Sequence, residues 1–114
     1  MYLKAKVLKV EFIKNQAFHE KTGKPHPSYF LEASVVDTDT QTRYQCSFRK
    51  SLGAERLLQA YQQNISEAER DTIAVDVVAK AKKQIEGEEV TLVVEGIEFM
   101  KLLVSYFPPE SAKI

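Results

Sequence analysis

A chain of 114 residues, 44% hydrophobic and 28% charged, is long enough to bury a core and too apolar to stay disordered. A single cysteine, Cys46, excludes an internal disulfide and a Cys-based zinc site. Sixteen Lys and Arg balance sixteen Asp and Glu, which excludes a strongly basic chain. No apolar run approaches the roughly 18–20 residues that span a bilayer. The start, Met1-Tyr2-Leu3-Lys4-Ala5-Lys6, lacks the apolar run of a signal peptide. The expectation is one domain over residues 1–114, cytoplasmic, without membrane contact.

The balanced charge is unevenly placed. Residues 1–50 carry nine Lys and Arg against five acids, and residues 51–114 carry seven against eleven. The first half also holds seven of the eleven aromatics. Basic charge interleaved with aromatics is the composition of a surface that follows phosphates and stacks bases.

In chain order, residues 2–13 alternate as a strand, with Leu3, Ala5 and Val7 on one face and Lys4 and Lys6 on the other. The parity then slips to Val10 and Phe12, which predicts a bulge or strong coil of the kind a closing barrel needs. Residues 14–27 lose all periodicity. With Gly23, Pro25 and Pro27 they read as a long loop or hairpin wing bearing Lys14, His19, Lys21, Lys24 and His26.

A second strand covers 28–37, with Tyr29, Leu31, Ala33 and Val35 on one face and Phe30, Glu32 and Ser34 on the other. The polar turn Asp37–Gln41 predicts an antiparallel third strand, 42–50. There Tyr44, Cys46 and Phe48 read as core, and Arg43, Gln45, Ser47 and Arg49 as an outer cationic face.

Residues 51–64 predict a helix capped by Ser51, with Leu57, Leu58 and Tyr61 as its apolar stripe. Ser66 and Glu69 have capping-box spacing. Ile73, Val77, Val78, Ala81 and Ile85 then predict a second, amphipathic helix ending near Gly87, with a strand over the β-branched stretch 73–78 as the alternative. Residues 89–95 and 97–107 return to β character. Five strands with helices between the third and fourth is the element order of an OB-fold-like, partly open barrel.

The stretch Lys21-Thr22-Gly23-Lys24-Pro25, followed by an aromatic-bearing strand and Val35-Val36-Asp37, resembles the gene V type of filamentous-phage single-stranded-DNA-binding proteins. Tyr44-Gln45-Cys46-Ser47-Phe48 also looks like the third strand of some members. The resemblance covers residues 14–50. It implies a non-enzymatic protein, often a homodimer, that coats single strands during phage or mobile-element replication in the bacterial host cytoplasm. A longer branch of the family, of the Vibrio-phage kind, fits the chain length. Lys24 carries over as the motif lysine and Lys21 as the basic loop position. His26 stands where many members have Tyr, so Phe18, Tyr29 or Phe30 would supply the stacking ring.

The expected DNA-binding set is Lys4, Lys6, Lys14, Phe18, Lys21, Lys24, Tyr29, Phe30, Arg43 and Arg49, and the partner is single-stranded DNA. Cationic side chains would take phosphates, releasing counterions, and aromatic rings would take bases. Cys46 reads as a buried thiol. His19 and His26 lack ligand spacing, and Glu86, Glu88 and Glu89 read as a solvated helix–strand junction. No metal, cofactor, small-molecule substrate or catalytic residue is expected. The alternative is a protein-interaction module that docks a partner through its acidic helical C-terminal half, with the barrel as scaffold.

Overall fold

The computed structural model describes residues 1–16 and 20–108. Strand β1, Tyr2–Asn15, alternates as its sequence dictates: Leu3, Ala5 and Val7 are buried, while Lys4 and Lys6 face out. The register against β2 shifts between Val7 and Lys9. A one-residue bulge flips every later side chain to the other face. Val10 is therefore buried and Phe12 packs against the core. Lys14 shares their parity, which matters for its role below.

Strands β2, Ser28–Asp37, and β3, Arg43–Phe48, continue the sheet antiparallel. Their turn is built by Asp37, whose carboxylate accepts from the amides of Asp39 (2.8 Å) and Thr40 (3.0 Å). Those amides, Thr40 foremost, hold the Asp37 carboxyl below the usual carboxylate range. The inward residues Leu31, Ala33, Val35, Cys46 and Phe48 are all buried.

Two helices bridge β3 and β4. Helix α1, Ala54–Gln62, starts three residues later than the sequence suggests. Its cap is Gly53 at φ 82°, a left-handed conformation that glycine adopts without strain. Ser51, the expected cap, instead accepts a hydrogen bond from the Tyr106 amide (3.0 Å). Helix α2, Glu67–Ile85, is capped by Ser66, whose hydroxyl accepts from the Glu69 amide (3.3 Å). The β-branched stretch is helical because Ala74, Val77, Ala81 and Ile85 form one stripe buried against the barrel. Packing of that stripe outweighs the modest strand preference of Ile and Val.

Strands β4, Glu89–Glu98, and β5, Lys101–Tyr106, close the sheet. The order is β1-β2-β3-β5-β4, with β4 returning to β1. The β3–β5 pairing is parallel, which requires a long crossover, and the helices supply it. The result is a closed five-stranded barrel of the OB-fold type with helices inserted between β3 and β4. Beyond Lys6 the seam between β1 and β4 is filled by the turn that follows α2. Gly87 donates to the Val7 carbonyl, the Val7 amide donates to Glu88, and the Val10 amide donates to the Glu86 carboxylate (2.8 Å for the last). No helix among the described residues is long and apolar enough to cross a membrane.

Candidate nucleic-acid interface

In an OB barrel, the outer face of β2–β3 and the loops β1–β2 and β4–β5 form the surface that holds oligonucleotides. Alternation along β2 puts Phe30 and Glu32 on that outer side, and alternation along β3 does the same for Ser47. Arg49, just after β3, lays its guanidinium 5.7 Å from the centre of the Phe30 ring, within cation–π range. The same guanidinium pairs with the Glu98 carboxylate from the end of β4.

A second pair lies beside it. Glu32 is only 3% exposed, and its carboxylate accepts from Lys101 Nζ (2.7 Å) and Gln45 Nε2 (2.9 Å). Gln45 in turn accepts from the Ser34 hydroxyl (2.8 Å). A buried carboxylate is tolerable only when its lone pairs are satisfied, and here they are. Together the two pairs strap the β4–β5 hairpin onto the β2–β3 face.

At the tip of that hairpin stand Phe99 and Met100. They are 85% and 97% exposed, and both have positive φ, 52° and 64°. A two-residue hairpin turn of this hand normally takes Asn-Gly. Two bulky apolar side chains are therefore exposed and held in a backbone region that costs about 1–2 kcal/mol per residue. Strain of this kind collects at functional sites.

The β1–β2 loop carries Lys21 and Lys24, both exposed. Its root is anchored by Arg70 of α2, which is 4% exposed. Arg70 donates to the carbonyls of Pro27 (2.6 Å) and Ile65 (2.7 Å) and contacts His26 Nδ1 (3.1 Å). His26 and Tyr61 pack ring against ring, with centroids 4.2 Å apart. The position of His26 is thus held by internal contacts.

The ten expected binding residues separate into groups. Phe30 and Arg49 meet, and Lys21 and Lys24 lie on the adjoining loop. Lys6, Val36 and Arg43 are cross-strand neighbours at the opposite end of β2. Six residues of strand separate Val36 from Phe30, about 20 Å. Lys4 lies one outward position before Lys6, paired in register with Thr91 of β4. Among the described residues, Lys4, Lys6, Lys24 and Arg43 carry no ion pair. Phe18, like His19, lies outside the described residues.

Two of the ten differ from expectation. Tyr29 is 6% exposed, stacks on Phe12 (centroids 5.7 Å) and donates its hydroxyl to Asp71, so its ring belongs to the core. Lys14 sits on the inward parity set by the bulge. Its ammonium binds Glu67 and Asp71 and lies 5.5 Å from the Tyr29 ring centre. The Glu67 contact above all raises its pKa. Both residues join β1 and β2 to α2 instead of facing a ligand. Conversely, the sequence reading missed Phe99, Met100 and Lys101. All three fall inside the expected β segment 97–107, and nothing in the sequence signals a turn at Phe99-Met100.

Cys46 is fully buried, and burial, reinforced by Glu32, pushes its thiol up to about 12. It stays protonated and is not a nucleophile at neutral pH. Among the described residues no group of three or more His, Cys, Asp or Glu could hold a metal ion. No protein-family model and no curated protein matches this chain.

Proposed function

We propose that this protein binds single-stranded DNA, without catalysis and largely without regard to sequence, along the outer face of β2–β3 and the two loops beside it. The observation that carries the reading is the Phe30–Arg49 pair, an aromatic face and a cation 5.7 Å apart on the strands that OB barrels use for oligonucleotides. Phe30 would stack a base, Arg49, Lys21 and Lys24 would meet phosphates, and Phe99 and Met100 would cover the strand from the hairpin. Coating of phage or mobile-element single strands by a dimer is the role the Gly23-Lys24-Pro25 loop suggests.

The test is anisotropy of fluorescein-labelled oligo-dT titrated with the protein at about 50 and about 200 mM salt. Binding should weaken with salt, with a log–log slope of about −0.7 per phosphate contact. Phe30→Ala should cost about 1–3 kcal/mol of binding. No anisotropy change at the lower salt rejects the reading.

A second reading makes the helical half a protein-docking surface and the barrel its scaffold. Leu58 on α1 and Val75 on α2 favour it, since both are large apolar side chains left more than half exposed. Light scattering with and without oligo-dT separates the two readings. A stable oligomer indifferent to nucleic acid supports the second.

A further inference from the structure

Phe30 and Arg49 line two cavities, one on each side of them. On the α1 side is an apolar groove of about 240 Å³, walled by Leu57, Leu58 and Tyr61 of the helix. On the hairpin side is a smaller cleft of about 60 Å³, where Glu98, Lys101 and Ser47 stand beside Phe99 and Leu103. We propose that the two cavities form one nucleotide subsite, with a base in the apolar groove and its phosphate held by Arg49 in exchange for Glu98. This inference rests on the single-strand-binding reading above and specifies its central contact.

The groove has the buried rings of Tyr29 and Phe48 at its base, the less buried rings of Phe30 and Tyr61, and an aliphatic wall, with the Arg49 cation in its lining. A flat, apolar-faced group carrying an anion beside it is the chemistry that fits, and a nucleotide is such a group. The anion cannot simply be added, because both cations of the cleft are already paired.

The two pairs differ in how readily they open. Lys101 is held by Glu32, and removing it would strand a buried carboxylate, which is strongly unfavourable. Arg49 is held by Glu98, and both side chains are close to two-fifths exposed, so a freed Glu98 is solvated at once. A phosphate takes Arg49 in a two-pronged contact and displaces Glu98, while Lys101 stays on Glu32. In the free protein Glu98 acts as an internal substitute for the phosphate. It keeps Arg49 positioned over Phe30 and lowers the affinity for weak anions.

The test compares wild type with Glu98→Gln, Leu58→Glu and Glu69→Gln by labelled oligo-dT anisotropy across salt. Glu98→Gln should bind about 3- to 5-fold more tightly at low salt, the most that releasing an exposed ion pair yields. It should also steepen the salt slope toward one further phosphate contact. Leu58→Glu, an exposed position, should weaken binding at least 10-fold at an unchanged melting temperature. Glu69→Gln makes the same charge change on the exposed start of α2 and should leave binding unaltered.

Glu98→Gln equal to wild type, or a gain matched by Glu69→Gln, overturns the exchange while leaving single-strand binding intact. Leu58→Glu binding like wild type overturns the placement of the base. Failure of wild type itself to bind rejects the underlying reading, and this inference with it.

Discussion

The Tyr29 hydroxyl donates to the Asp71 carboxylate, which fixes the first residues of β2 to α2. Lys14 reaches the same carboxylate (3.3 Å) and also Glu67. The base of the β1–β2 wing therefore stands on a network of one phenol, one ammonium and two carboxylates.

That network predicts acid sensitivity. The Tyr29 hydroxyl first, and Lys14 after it, hold the Asp71 carboxyl below its ordinary range, and the Arg56 guanidinium, with Lys80, does the same for Asp76. A carboxyl depressed in the folded state contributes stability that is complete above its unfolded value, about 4, and is lost as pH falls through the depressed value. Tyr29 has the opposite sign: burial raises its pKa, so its contribution is complete below about 10 and is lost in alkali. Urea midpoints measured from pH 7 downward should fall below about pH 4. The fall should be shallower in Asp71→Asn, and an identical profile in that variant would remove Asp71 from the acid response.

The β4–β5 tip predicts that stability and binding move in opposite directions. Replacing Phe99-Met100 by Asn-Gly supplies the residues that positive φ favours, so thermal stability should rise, by about 1 kcal/mol or more. The same change removes the two exposed apolar side chains, so oligo-dT affinity should drop. Calorimetry and anisotropy on one variant check both halves. A gain in stability with full binding would make the tip a structural irregularity without a role in DNA contact.

The loop and strand lysines should respond differently to truncation. Lys24→Ala removes an exposed cation that has no ion-pair partner among the described residues, so affinity should fall and the salt slope should shrink by about 0.7. Lys14→Ala should leave the slope unchanged and lower the melting temperature, because its charge is already neutralised by Glu67 and Asp71. Equal slope changes in the two variants would contradict this division of roles.

Most of the barrel was legible in the sequence because alternation is a local signal. Leu3, Ala5 and Val7 announced one face, and the slip to Val10 and Phe12 announced the bulge at Leu8. Its consequence for Lys14 was harder to read. Lys14 sits at the end of the apolar alternation, where charge suggests solvent, yet the shifted parity carries it inward. The site was only half legible for a different reason. Arg49 and Glu98 are 49 residues apart, and Lys101 and Glu32 are 69 apart. Such pairs depend on barrel closure, which no sequence window contains. Phe99 and Met100 were hidden because apolar residues between two strands read as more strand, not as a turn.

The Glu86 carboxylate on the Val10 amide has a consequence for how copies of this chain could assemble. Where β4 leaves β1, an incoming strand would need that row of amides and carbonyls, and the turn after α2 already occupies its start with Glu86, Gly87 and Glu88. Beyond Val10, β1 continues to Asn15 with β2 as its strand neighbour, so the blocked stretch is the one nearest β4. Two copies of this chain are thereby kept from joining backbone to backbone at this part of the seam. A contact between copies across it would have to be made by side chains, which associate and separate without breaking a backbone ladder.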